Sequence, residues 1–414
     1  MPAEGLFAGQ EWRVSPIPFK LDAKLGKELD SLGRVLLQFY RAVNLLYRKS
    51  VEGKQPEWVA RWLELGKPPE LIEFQRAINL KSETPRVIRP DLLLTENGFS
   101  VTELDSVPGG IGVTAWLHQT YSQAAIQNPQ SAVIGGADGM LKGFASIFGD
   151  APRVHIIVSE EAATERPERE GLAKQLGPRF AVRDANFMDF ADGDAVYRFF
   201  ELFDVTNVPN GKKIFELAAE KRIRLTPPPK PIFEEKMLFA LLWNRHLRGF
   251  WRQELGESFF QRLLKMTPYT GIVDPSPLPP HAALPELGLT DWQQLKQLSQ
   301  KERDLILKVS GFSAHAWGAR GVYLGSDLSH ADWSAAVDKA IAEFNQSPYV
   351  LQRYHHPKLA EAQWYDFSSN QVVPMKGRAR LCPYYFVAGD GDSARAQLGG
   401  VLATICPPDK KIIH

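Results

Sequence analysis

Only two cysteines occur in 414 residues, Cys382 and Cys406, and they form no CxxC pair. That excludes a zinc cluster and a disulfide framework. No apolar run approaches the roughly 18 residues of a membrane span, and the stretch from Met1 to Gly5 lacks the basic-then-apolar pattern of a signal peptide. Net charge is nearly absent: 49 basic against 48 acidic side chains leave +1. Such a balance argues against a broad nucleic-acid surface, while permitting a local basic pocket. There is no GxxxxGK[ST] phosphate loop, no GxSxG elbow, no HExxH and no HRD-type loop, which removes P-loop NTPases and the commonest hydrolases and kinases. What is left is 44% hydrophobic and 23% charged, the make-up of a soluble globular chain with room for two or three domains. A cytoplasmic, multidomain enzyme is expected, with no membrane or nucleic-acid partner. Oligomeric state is not legible.

What is present is organised around one glycine-rich stretch. Leu305 to Val309 is an apolar strand interrupted only by Lys308, and Val322, Tyr323 and Leu324 read as the returning strand. The loop between carries Gly311, Gly318, Gly321 and Arg320. Glycines let a backbone approach closely and turn successive N–H groups toward phosphate oxygens. Alone, this pattern is equally an ordinary hairpin with a mobile tip.

Earlier in the chain, residues 28–80 read as helices, with Leu32, Leu36, Phe39, Tyr40, Val43 and Tyr47 at three- and four-residue spacing. They are assigned packing and no chemistry. Leu92 to Leu94, then Asn97 and Gly98, then Phe99 to Glu103 predict a hairpin. Glu103 and Asp105, two apart on a strand, share a face, and pairing can bring Asp91 beside them. Three carboxylates on one face suit magnesium, a hard cation that takes one or two carboxylates and completes its shell with water and phosphate. Arg89 can reach the same phosphates. A solvated strand face is the competing reading.

The run from Gly110 to Ala115 matches the GxGxxA dinucleotide fingerprint. It is set aside because Glu103 and Asp105 would face a bare pyrophosphate, and the strand predicted at Ala132 to Ile134 ends in no ribose-binding acid. Residues 150–225 alternate strand and helix, predicting a small parallel α/β unit in which Arg198 is structural. Thr226 to Pro231, with four prolines, reads as a stiff linker. A long amphipathic helix is predicted from Phe233 to Trp243 with Lys236 in its first turn, an end that prefers anions. Tyr349 to Arg353 is a strand ending in Gln352 and Arg353, and Arg378 and Arg380 share a face of a later strand.

Together these residues resemble the circularly permuted ATP-grasp ligases, in particular the synthetase domain of glutathionylspermidine synthase and its relatives. Arg89 and Asp91, followed by Glu103 and Asp105, are similar to that family's Arg-x-Asp and Glu-x-Asn magnesium pair, with Asp105 standing where asparagine is usual. Lys236 and Lys308 look like its two nucleotide lysines. The glycine loop looks like its flexible loop, and Tyr349 to Arg353 like the strand holding adenine and ribose. The carboxylate hairpin precedes the lysines, as in the permuted group.

The resemblance implies an α/β (α+β) chain: N-terminal helices (1–84), a metal-strand part of the ATP-grasp domain (85–149), a small parallel pre-ATP-grasp-like domain (150–228) and the remaining ATP-grasp subdomains (229–414). It implies ATP and Mg2+ as cofactors, with Asp91, Glu103 and Asp105 as metal ligands. Lys236, Lys308, Gly311, Gly318, Gly321, Gln352 and Arg353 would hold the nucleotide. Arg89, Arg320, Arg378 and Arg380 would hold the transferring phosphoryl group or a substrate carboxylate. The implied activity is ADP-forming ligation of a small or peptide-like acid to an amine. An ATP-binding protein of this fold without ligase activity, and a dinucleotide-dependent oxidoreductase, stay open.

Overall fold

The computed structural model describes residues 12–125, 132–276, 285–316 and 320–409. Three helices come first: α1 (Ala23–Val51), α2 (Glu57–Glu64) and α3 (Pro69–Arg76). Asp22 starts α1, its Oδ1 accepting the Leu25 N–H at 2.7 Å, which satisfies one of the helix's orphan donors. The predicted stripe from Leu32 to Tyr47 is buried. It packs on the later helix Arg248–Met266, for instance through the Phe39 and Trp251 rings at 5.7 Å.

The predicted hairpin follows as β1 (Val87–Thr95) and β2 (Gly98–Asp105), joined through Glu96 and Asn97. α4 (Ile111–Ala125) and α5 (Gly139–Ser146) come next. No strand forms at Ala132 to Ile134, because Gly135 and Gly136 turn the chain with φ of +84° and +66°. The alternating stretch is β3 (Val154–Val158), α6 (Arg166–Leu176), β4 (Phe180–Arg183), β5 (Ala195–Phe199), α7 (Gly211–Ala219) and β6 (Arg224–Thr226). Its four strands are parallel, in the order β4-β3-β5-β6.

The proline-rich segment after β6 is no exposed linker. Residues 226–233 are all buried, forming a strap through the molecule. The long amphipathic helix expected after it is also different. A 3-10 turn at Pro231–Glu234 and an extended Glu235 delay the start, so α8 spans only Met237–Trp243. Met237 to Leu242 are buried on every side. α9 (Arg248–Met266) then bends at Gly256, where φ is +71°.

The rest comprises β7 (Thr270–Ile272), α10 (Gln294–Gln297), β8 (Leu305–Val309), β9 (Val322–Leu324), α11 (His330–Ala342), β10 (Tyr349–Arg353), β11 (Leu359–Asp366), β12 (Gln371–Ala388) and β13 (Arg395–Cys406). The glycine-rich stretch is the expected hairpin, with Lys308 opposite Val322. It belongs to an antiparallel sheet ordered β7-β10-β8-β9. The central antiparallel sheet is ordered β11-β12-β1-β2, with β13 along the other edge of β12.

The central sheet has two unlike faces. Ile88, Leu92, Val101, Leu381 and Tyr385 face the core shared with α1, α8 and α9, while Val87, Cys382, Tyr384 and Phe386 face the core shared with α4, α5 and the parallel sheet. A register shift in the β1–β2 pair decides where the carboxylates go. Leu92 pairs with Val101 but Asp91 pairs with Glu103, leaving Thr102 extra. An extra residue re-aims everything beyond it. Val101 and Leu104 can therefore both pack on the first core although three residues apart, while Glu103 and Asp105 point to the opposite face with Arg89 and Asp91.

The fold is the mixed α/β architecture expected from the sequence: N-terminal helices, a small parallel unit and two antiparallel sheets, with the carboxylate hairpin ahead of both lysines. Among the described residues, no helix is long and apolar enough to cross a membrane.

Candidate active site

On the second face of the central sheet, register sets Arg89 opposite Asp105 and Asp91 opposite Glu103. Arg89 lies between the two aspartates, with Nη2 2.8 Å from Asp105 Oδ2 and Nε 3.3 Å from Asp91 Oδ1. Asp91 is also held from β12, by Arg380 Nη1 at 3.2 Å and by the Cys382 thiol at 3.4 Å. Burial works to raise the Asp91 pKa, but Arg89 and Arg380, with the Cys382 thiol and Lys308, together outweigh it and hold the carboxyl below its usual range. At Asp105 burial prevails over Arg89, and the pKa is raised. Burial pushes the Cys382 thiol up to about 12, so it is a poor nucleophile.

The two lysines close on this face from other elements. Lys236, at the end of the strap, places Nζ 2.8 Å from Glu103 Oε1 and 2.9 Å from the Ala316 carbonyl oxygen in the glycine loop. Burial works to lower its pKa, but Glu103, together with Glu201 and Asp105, outweighs burial, and the pKa is raised. Lys308 donates to Gln352 Oε1 at 3.0 Å and to the carbonyl of the extra residue Thr102 at 3.4 Å. Here burial wins and the ammonium pKa is lowered. Gln352 is fixed in turn by Thr270 Oγ1 at 3.1 Å. Beside these polar groups, Ile306, Leu324 and Tyr354 form a small apolar patch with Val322.

Gly311 lies at the loop's root, where a Cβ would stand 2.5 Å from the Glu234 carbonyl oxygen; at Gly321 it would stand 2.7 Å from that of His315. Both glycines are therefore required by close approach. Gly318 lies outside the described residues.

The remaining candidates are elsewhere. Arg320 reaches Glu161, after β3 of the parallel sheet, at 3.0 Å. Arg353 is exposed and donates to the Glu286 carbonyl at 2.8 Å, because the strand's alternation turns it away from Gln352. Arg378 bonds the Pro408 carbonyl near the chain's end. Arg198 is structural as expected, buried against Glu234.

The carboxylates form no ready-made cage: among the described residues, no three Asp, Glu, His or Cys side chains are placed to hold a metal together. The expected three-ligand magnesium site is corrected to that extent, the reason being that Arg89 stands between Asp91 and Asp105. The donor set still fits magnesium carried in with phosphates, since that ion usually keeps several waters and takes only one or two carboxylates. Two pockets of about 250 and 380 Å3 lie away from this face, one lined by Arg86, Phe148 and Arg224, the other by Arg166, Arg183 and Phe187.

The GxGxxA stretch does open a helix, but its N-terminus is filled from within. Glu168 of α6 accepts the N–H groups of Gly110 at 3.2 Å and Gly112 at 2.6 Å. This buried carboxylate takes the place a pyrophosphate would need. Its neighbour Glu165 keeps the proton of the pair: burial first, then the Glu168 charge, push its pKa up to about 7. Sequence reasoning missed both, since they lie in a helix far from the hairpin.

A raised acid pKa means the folded state binds more protons than the unfolded one between about pH 4.5 and 7, so stability falls as pH rises through that window. Glu165→Gln should remove the effect. The variant is expected to exceed wild type by on the order of 2 kcal/mol at pH 8, with the gap closing near pH 5, as read by urea unfolding. Parallel curves for the two proteins would contradict it.

No family model and no curated protein matches the sequence. Comparison with solved structures does find relatives in shape. A glutathione synthetase-like effector from Globodera pallida aligns over 98% of this chain and 92% of its own, with a TM-score of 0.52 and 11% identity. At that identity the likeness shows the fold alone. A candidate gamma-glutamylcysteine synthetase from Methylobacillus flagellatus KT aligns over 95% of this chain and 85% of its own at 13% identity, but its TM-score of 0.41 is too weak to bear on the fold.

Proposed function

We propose that the chain is an ATP- and magnesium-dependent ligase that joins a carboxylate to an amine and forms ADP. The observation that carries this reading is convergence. Lys236, Lys308, Arg89 and Arg380 meet Asp91, Glu103 and Asp105 on one partly buried face, although they come from five segments spread over nearly 300 residues. The fold shared with a glutathione synthetase-like protein supports a peptide-like or amino-acid-like substrate.

In such a reaction a carboxylate oxygen attacks the γ-phosphorus and ADP leaves. The amine then attacks the acyl carbon, loses a proton, and phosphate departs. One or two of Glu103, Asp91 and Asp105 would hold magnesium brought in with the phosphates, and the ion would supply neutralisation of the phosphate charge. Lys236 and Lys308 would orient those phosphates, and Gln352 with the apolar patch at Ile306, Leu324 and Tyr354 would receive the base. Arg89 and Arg380 would move from Asp91 to a transferring phosphoryl group. Closure of the loop rooted at Gly311 would keep water from the acylphosphate.

A second reading has one observation in its favour. Asp105 replaces the usual asparagine and is neutralised by Arg89, which suits a protein that binds nucleotide without turning it over.

The deciding experiment is thermal stabilisation by a non-hydrolysable ATP analogue with magnesium, followed by phosphate release from ATP with pooled acids and amines. Stabilisation with amine-dependent phosphate release supports the ligase. Stabilisation without release favours the second reading, and a folded protein that ignores the analogue rules out both.

A further inference from the structure

The strap carrying Lys236 is gripped along its length by the N-terminal helices, which lie outside the ATP-grasp resemblance. Lys230 Nζ donates to Asn44 Oδ1 at 3.0 Å and to the carbonyls of Lys81 and Glu83 at 3.3 and 2.9 Å. The Ile232 N–H donates to Gln75 Oε1 at 3.1 Å, and Phe233 meets the Tyr40 ring edge-on at 5.2 Å. Glu235 then takes Lys67, from the turn between α2 and α3, at 2.5 Å. Glu234 faces the other way, toward Arg198 and the Leu202 N–H of the parallel unit, and Arg198 also reaches the Pro227 and Pro228 carbonyls at 3.4 Å each.

The Lys67–Glu235 contact stands out in kind and in place. The two side chains are 1% and 0% exposed. A fully buried ion pair contributes little net stability compared with an apolar pair of the same volume, because both charges are desolvated. Its use is better sought in what it fixes. The second Glu235 oxygen accepts the Ser310 hydroxyl at the foot of the glycine loop. Ser310 in turn accepts the Lys236 N–H at 2.8 Å on its carbonyl oxygen and the Met237 N–H at 2.9 Å on Oγ. The Phe312 ring lies 5.8 Å from Lys67 Nζ. One buried charge pair thus sets both the backbone bearing the first lysine and the root of the loop that covers it.

We propose that Lys67 is a positioning residue for the nucleotide site, acting through Glu235 to hold Lys236 and the glycine loop in register. The N-terminal helices are then a working part of that site, an inference that rests on the nucleotide reading above.

Lys67→Met alone strands a buried carboxylate, so the test uses the double variant Lys67→Met/Glu235→Gln, which keeps volume and removes charge. Hydrogen–deuterium exchange on the free protein should quicken ~10-fold or more at residues 310–316 and 235–239. Exchange in α1 and the central sheet should stay unchanged. Affinity for the ATP analogue should fall ~10-fold, about 1.4 kcal/mol. Lys67→Arg, which keeps the charge, should retain wild-type exchange at the loop root. Unchanged exchange there in the double variant overturns the proposal. So does loosening spread over the whole chain, or loss of folding, since either would make the pair a stabilising element only. If wild type ignores the analogue, the ligase reading falls, and the exchange comparison still decides the role of Lys67.

Discussion

Asp91→Ala should cost the free protein about 3–5 kcal/mol, the usual penalty for leaving buried charge unpaired. Among the described residues Asp91 alone is paired with both Arg89 and Arg380, and it is 8% exposed. Without it Arg89 retains Asp105, but the Arg380 guanidinium faces a cavity lined by Arg89 and Cys382. Urea unfolding would read the loss as a lower midpoint at unchanged slope. Asp91→Asn should cost less, because an amide oxygen can still accept from one guanidinium. A penalty below about 1 kcal/mol for alanine, within the range of surface substitutions, would show that the arginines find other partners and that the polar face is softer than its geometry suggests.

Lys308→Met should do the opposite to stability and far more to binding. The ammonium is buried and its pKa lowered by desolvation, so it is held at a cost in the free protein. An unbranched apolar side chain of similar length relieves that cost, and the variant should melt no lower than wild type. Nucleotide binding should weaken at least ~100-fold, roughly 2.7 kcal/mol, which would abolish most of the stabilisation seen at 100 times the dissociation constant. Gain of stability with loss of binding is what a strained functional residue predicts. Lower stability with unchanged affinity would reduce Lys308 to a core lysine satisfied by Gln352 and Thr102.

Much of this was legible because it depends on local rules. Period two placed Glu103 and Asp105 on one face, the Glu96-Asn97-Gly98 turn joined the strands, and the glycines at 311 and 321 marked close approaches. The shift at Thr102 left a trace as well, in apolar residues at 99, 101 and 104, where strict alternation would put one at 103. Other features had no local signal. Glu168 fills the N-terminus of α4 from a helix more than 50 residues away, and Lys67 reaches Glu235 across 168 residues. Arg353 and Arg378 carried the right chemistry at positions that strand alternation and the chain's end turn elsewhere. The strap's prolines read as a stiff linker, and the surrounding helices and the parallel unit bury it.

The pairing of β1 with β12 has a consequence in time. Arg380 meets Asp91 across 289 residues of chain, so the carboxylate hairpin emerges long before the strand that completes its surroundings. At synthesis rates of about 5–20 residues per second, that interval is roughly 15 to 60 s. During it Arg89 and the two aspartates have only one another, and the hairpin edge that β12 will cover is open to other strands. A nascent chain released between Lys308 and the start of β12 would have both lysines and all three acids, yet no β12 to enclose Asp91.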